Sequence, residues 1–318
     1  MMQSILIGIA AGVAAALLFL APQSGSALAF PLLALTALPI AIAGLGWGVN
    51  SGITAAAVGA IIVSAAIGTL SPAVIFLALF AAPAVWLARL AGMWRETGGN
   101  GAAAAREWYP LGRLLLHVAL ATAIGLVISG WMVGYDSTAF STEIGVALTE
   151  VFTEVNPQEP PSAETVSSFV NLYVALLPFT LGLLMVVIGV INLWLAALVA
   201  RASGRFARPA ERLWTVILPN EILAGFAVAL GLAFLLPGSL GQIAGVFAGT
   251  LGGAIVLAGL AVLHAVTLGM SGRPFLLGLT YFLILISGLP LLIVALIGAG
   301  ENFFGFRARK FRGAPPRT

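Results

Sequence analysis

Four polar residues stand where an apolar chain has little reason to keep them. Arg113 and His117 lie one helical turn apart, Glu221 follows Pro219-Asn220 at the head of an apolar run, and His264 sits inside another. Ionisable groups at membrane depth are costly and are functional candidates by default. Arg113, His117, Glu221 and His264 therefore form one candidate buried polar cluster, which Asn192 and Tyr281 could join. The plainer reading makes them packing residues at inner helix ends, served by snorkelling and interfacial water. Ion or proton coupling in a membrane usually needs carboxylates or broken helices near the midplane. Pro39, Pro178 and Pro290 offer breaks, but no midplane carboxylate accompanies them.

Enzyme chemistry finds little footing. HExxH, Walker A and GxSxG patterns are missing, and Gly44, Gly46 and Gly48 do not complete a dinucleotide fingerprint. Without cysteine the chain has no disulfide, thiol nucleophile or cysteine-based metal site. The expectation is a non-enzyme without a cofactor.

The solvent for these residues follows from composition. The 318 residues are 61% hydrophobic and 8% charged, with mean hydropathy +1.11. Soluble domains carry about 25% charged residues, so most of this surface must face lipid. Apolar runs near 4–20, 27–47, 52–70, 73–93, 113–134, 171–199, 217–236, 242–269 and 276–299 are unbroken rather than alternating, which favours helices over a β-barrel. The fold class is an all-α polytopic bundle of eight or nine spans. The run from Ile5 to Leu20 resembles a signal peptide, but no Lys or Arg precedes it, so it reads as an uncleaved first span.

Charge sets the orientation. Residues 135–170 carry Asp136, Glu143, Glu150, Glu154, Glu159 and Glu164 with no Lys or Arg. Residues 200–216 carry four arginines against Glu211, the loop 94–113 carries Arg95, Arg106 and Arg113, and the tail 307–318 carries Arg307, Arg309, Lys310, Arg312 and Arg317. The positive-inside rule puts the basic segments in the cytoplasm and 135–170 outside. One bundle thus covers 1–306, followed by a basic cytoplasmic tail, in a bacterial inner (plasma) membrane. The pI near 9.8 then reflects topology, not nucleic-acid binding. A parity conflict remains. Three apolar runs separate Arg212 from Arg307, yet both ends read as cytoplasmic. Ser287-Gly288-Leu289-Pro290 could break 276–299 into a re-entrant hairpin, since Pro removes a backbone bond. The alternative is one kinked span and nine crossings.

Three surfaces carry information. Within 141–155, Ile144, Leu148, Val151, Phe152 and Val155 share one helical face opposite Glu143, Glu150 and Glu154, and Pro157 ends the segment. It reads either as a lid over an outward-facing cavity or as a helix lying at the interface. Gly241, Gly245, Gly249 and Gly253 repeat every fourth residue, and Gly8 and Gly12 do the same in the first run. Such faces let backbones approach closely, within the chain or against a membrane-protein partner. Arg201, Arg205, Arg208 and Arg212 fall on a single helical face, for anionic headgroups or an acidic partner.

Four pieces resemble the YybS-like family of uncharacterised bacterial membrane proteins. They are Phe30-Pro31-Leu32 through Leu38-Pro39 to Gly44-Leu45-Gly46-Trp47-Gly48; Trp108-Tyr109-Pro110-Leu111-Gly112-Arg113; Asn192-Leu193-Trp194 through Ser203-Gly204-Arg205 to Arg208-Pro209; and Gly298 through Glu301 to Phe306-Arg307-Ala308-Arg309. That family is distantly similar to the substrate-binding subunits of energy-coupling-factor transporters. The resemblance implies a bundle that captures a small molecule and docks on a partner, here through the Gly8/Gly12 and Ala10/Ala14 face. The competing expectation is a non-transporting scaffold that holds a complex through its basic loop and tail, with a filled interior.

Overall fold

The computed structural model describes residues 2–97, 105–155, 162–211 and 216–311. Arg212, Pro157, Glu159, Arg312 and Arg317 lie outside the described residues. Among the described residues, seven segments are long and apolar enough to cross a membrane: Met2–Ser24, Ala29–Trp47, Val49–Ile67, Ser71–Ala91, Leu111–Met132, Ala163–Ala202 and Gly238–Val266.

The first helices pack through small residues. Gly8 and Gly12 of α1 (Met2–Leu20) are buried against α4 (Val49–Ile67). A Cβ on Gly8 would come 2.7 Å from the Ser51 carbonyl oxygen, and one on Gly12 would come 2.6 Å from that of Ala55. The chain itself thus covers Gly8 and Gly12 of the expected partner face, while Ala10 stays exposed and Ala14 half-buried. Close contact of this kind is what joins helices in lipid, where apolar burial gains little. The run 27–47 divides into α2 (Ala29–Ala34) and α3 (Ala37–Trp47). Pro39 has no N–H to return to Leu35, so the ladder is interrupted there.

The next crossing is also irregular. α5 (Ser71–Ile75) passes through a π-helical turn (Phe76–Ala81) into α6 (Ala82–Ala91). A β-hairpin follows, β1 (Trp94–Thr97) with β2 (Ala105–Trp108), pairing Trp94 with Trp108 and Arg95 with Glu107. It is the one departure from an all-α fold among the described residues.

α7 (Leu111–Met132) leads to α8 (Ser137–Val155) and to the 40-residue α9 (Ala163–Ala202). At 1.5 Å per residue α9 is about 60 Å long, roughly twice a hydrocarbon core. Ser162 caps it, its hydroxyl accepting from the Thr165 N–H. Phe140, Ile144 and Leu148 of α8 pack on Val166, Val170 and Val174 of α9. α8 packs on no other helix to any comparable extent. The acidic segment thus pairs α8 with the start of α9 as a two-helix arm, with an open groove between them lined by Thr142, Gly145, Thr149, Val166 and Asn171. The amphipathic face is real, but its partner is the extension of α9, and Val151, Phe152 and Val155 stay exposed.

α10 (Asn220–Leu235) and α11 (Gly238–Val266) form a hairpin. α11 is the most enclosed helix, packed by α7, α9, α10 and α13 (Pro290–Phe304). Its glycine ladder is internal: Gly245 faces Pro178, Gly249 the Phe179 backbone and Gly253 Leu183, all on α9, while Gly241 faces the Leu236 carbonyl at the end of α10. The last apolar run breaks at Gly288, whose φ is +64°, between α12 (Arg273–Ser287) and α13. α14 (Phe306–Phe311) closes the described chain and is no detached tail: its Arg307 is 8% exposed.

Candidate functional site

The chemistry gathers at the end of the bundle where α6, α7 and α9 meet the basic segment. Gly204, with φ +69°, stops α9, and the chain turns back on itself. Among the described residues, Arg201, Arg205 and Arg208 therefore do not share one helical face, which corrects the expected stripe as far as Arg208. Arg201 stays on the last turn of α9. Arg205 lies over the Trp47 ring, 4.6 Å from its centroid. Arg208 turns inward and is 4% exposed.

Arg208 ties three segments together. Its Nη1 donates to the Ala91 carbonyl at 3.2 Å, and its Nη2 donates to the Tyr109 carbonyl at 2.8 Å. Those carbonyls end α6 and precede α7, so the guanidinium meets acceptors no helix satisfies. Glu211 Oε1 accepts from both Nε at 2.9 Å and Nη2 at 2.6 Å, and the carboxylate balances the buried charge.

A second clamp lies beside it. Arg307 Nε donates to Glu301 Oε1 at 2.9 Å, and its Nη1 donates to the Val216 carbonyl at 2.7 Å. Both side chains are about nine-tenths buried, 10% and 11% exposed. Gly305, with φ +57°, turns the chain so that these residues, six apart, can meet. Asn302 Nδ2 donates to the Leu218 carbonyl at 3.0 Å and to Asn220 Oδ1 at 2.9 Å. The end of α13 is thus fastened to the segment that enters α10.

Under these clamps lies a cleft of about 240 Å³. Leu111, Leu114, Leu115 and Val118 of α7 wall it, with Val190, Leu193, Trp194 and Ala197 of α9 and Leu257, Ala258 and Ala261 of α11. Arg201, Phe206, Arg208, Glu211 and Val216 line its polar end. Trp194 is 47% exposed, so the cleft reaches the outer surface of the bundle. The lining side chains offer one carboxylate, already paired with Arg208. That arrangement suits binding better than proton transfer.

No family model, curated protein or solved structure matches this chain. The likeness to the YybS-like family therefore rests on its four sequence pieces.

The expected polar cluster is dispersed. His117 accepts from Trp86 Nε1 through Nδ1 at 3.5 Å, which leaves Nε2 to donate to the Tyr109 hydroxyl at 3.1 Å. Arg113, one turn earlier, is exposed beside the β-hairpin. His264 Nδ1 donates to the Leu260 carbonyl at 2.9 Å, and its ring lies 5.9 Å from that of Tyr281. Glu221 is exposed in the first turn of α10, where the helix dipole favours an acid. Asn192, 2% exposed, donates through Nδ2 to the Ala34 carbonyl at 2.7 Å and to Ile188 at 2.8 Å. It satisfies the carbonyl left over where α2 breaks from α3.

Sequence reasoning missed the Glu301–Arg307 pair and the inward turn of Arg208. The available signals were Gly204 and Gly305, each set where an arginine follows within four residues.

Proposed function

We propose that the chain is a membrane-embedded binding protein of transporter-like build, with its ligand site in the cleft between α7, α9 and α11. The observation that carries this is a cavity of about 240 Å³ with apolar walls and arginines at one end. A scaffold acting through its basic loop has less to offer, since Arg208 and Arg307 are turned onto the chain's own carbonyls. A scaffold also called for a filled interior.

The same clamps support a topology. If α10 and α11 cross and return, α12 and α13 must together enter and leave on one face, because Arg307 meets Val216 and Asn302 meets Leu218. α12 and α13 have 15 residues each and α10 has 16, all about 22–24 Å at 1.5 Å per residue, so the clamps rather than helix length support reading α12 and α13 as an entering and leaving pair. A re-entrant hairpin turning at Gly288 fits these clamps. The proposed count is eight crossings plus this hairpin, in a bacterial inner membrane, with the arm of α8 and α9 on the outer side.

The test compares wild type with Ala261→Trp, which fills the cleft from α11. Both are purified in mild detergent, extracted, and their bound small molecules identified by mass spectrometry. A molecule carried by wild type and lost from the variant is the expected result. Equal content in the two, or none in either, overturns the reading.

A further inference from the structure

The layout of the cleft names a ligand class, an inference that rests on the reading of the cleft as a binding site. Its walls on α7, α9 and α11 are aliphatic apart from Trp194 at the edge, so a polar metabolite inside would lose water and gain few partners. Its volume, about 240 Å³, falls below the ~300–1,000 Å³ of pockets that enclose a whole small molecule. Trp194 leaves one edge at the bundle surface. The cleft therefore suits part of a molecule whose remainder lies in lipid.

Charge is distributed unequally at the polar end. Arg208 is neutralised by Glu211 at 2.6 Å and holds two backbone carbonyls. Arg201 lines the same cleft one turn beyond Ala197, and has no ion pair or hydrogen bond from its side chain among the described residues. Among the described lining residues, the Arg201 charge thus remains unpaired at the mouth, level with the end of α9. Arginine is the side chain best shaped to fork a phosphate or carboxylate.

We propose that the cleft takes an anionic amphiphile of the bilayer, its negative headgroup on Arg201 and one hydrocarbon chain along Leu115, Leu193 and Leu257. A chain moving from lipid into protein gains little hydrophobic energy. Selection therefore comes from the headgroup, and chain length matters less than charge.

The experiment is native mass spectrometry of the full chain, titrated separately with phosphatidylglycerol, phosphatidylcholine of the same chains, and inorganic phosphate. Variants are Arg201→Gln, the cleft-fillers Ala197→Phe and Ala261→Phe, and Arg89→Gln as an exposed basic control. The first phosphatidylglycerol should bind wild type and Arg89→Gln alike. Arg201→Gln should weaken it about fivefold to tenfold, and either filler should abolish it. Two fillers on different helices keep the test valid where one fails to fold. If the fillers abolish binding but phosphatidylcholine binds as well as phosphatidylglycerol and Arg201→Gln is silent, the anionic class is wrong and the cleft survives. If folded fillers leave binding unchanged, both readings fall. Inorganic phosphate binding as tightly as phosphatidylglycerol overturns the hydrocarbon half of the proposal.

Discussion

Arg307 donates through Nη1 to the backbone carbonyl of Val216 at 2.7 Å, and this contact joins α14, the last described helix, to the segment that enters α10. Its Glu301 partner is as deeply buried as Arg307 itself. Removing one member of a buried pair leaves an uncompensated charge, at a cost of about 3–5 kcal/mol, whereas apolar replacement of both is often neutral. Arg307→Met should therefore destabilise the protein by about 3 kcal/mol. Adding Glu301→Leu should recover a large part of that loss. The check is denaturant unfolding in detergent. A double variant no more stable than Arg307→Met would sink the pairing argument.

The same contact predicts sidedness. A cysteine-free chain gives clean single-cysteine labelling. Ser203→Cys, after α9, and Arg309→Cys, in α14, should react with a membrane-impermeant maleimide from one face. Thr142→Cys, on the exposed arm, should react from the other. Labelling of positions 203 and 309 from opposite faces would mean that α12 and α13 cross once as a kinked span.

How much of this was legible follows from how local each cause is. The break at Gly288-Leu289-Pro290 could be read from the sequence, because glycine and proline act on their own backbone. The spacing of Gly241 to Gly253 was legible as one face, but not that α9 would cover most of it. The amphipathic face of 141–155 was visible, while its partner, Val166 to Val174, is set by the length of α9 beyond the bundle. The inward turn of Arg208 depends on carbonyls at Ala91 and Tyr109, both roughly a hundred residues away. The β-hairpin is not legible in the net charge of 94–113. Its mirror pattern, Trp-Arg-Glu-Thr against Ala-Arg-Glu-Trp, sets Arg95 opposite Glu107 and Glu96 opposite Arg106.

Asn192 gives a third prediction. Its amide reaches the Ala34 carbonyl, exposed by the break between α2 and α3. Asn192→Leu should cost about 1–3 kcal/mol, because that buried acceptor loses its donor. Asn192→Gln should recover little, since a longer side chain must fit a buried site. Thermal unfolding of the three proteins measures this. Full stability in Asn192→Leu would mean that removing the buried, unpartnered Asn192 Oδ1 offsets the lost donor, or that the carbonyl finds another one.

The glycine ladder gives a matched pair. A Cβ at Gly249 would fall on the Phe179 backbone, whereas one at Gly278 of α12 meets nothing within 4 Å. Gly249→Ala should destabilise by about 1–3 kcal/mol, as over-packing does. Gly278→Ala should be neutral or stabilising by up to about 1 kcal/mol through helix propensity. Equal effects at the two sites would refute close α9–α11 packing.

The Arg95–Glu107 pair makes the β-hairpin respond to pH. The guanidinium holds the Glu107 carboxyl below its ordinary value, first by the hydrogen bond at 2.7 Å and then by charge. A carboxyl depressed in the folded state contributes stability that is complete above its unfolded value and is lost as pH falls through the folded one. Both side chains are largely exposed, 76% and 47%, so the effect is small and screened by salt. Fluorine NMR of 5-fluorotryptophan at Trp94 and Trp108 should show one transition on acidification, below the ordinary glutamate range. High salt should blunt it, and Glu107→Gln should abolish it. An identical transition in Glu107→Gln would assign the acid response to another group, with Glu96, paired opposite Arg106, the next to replace.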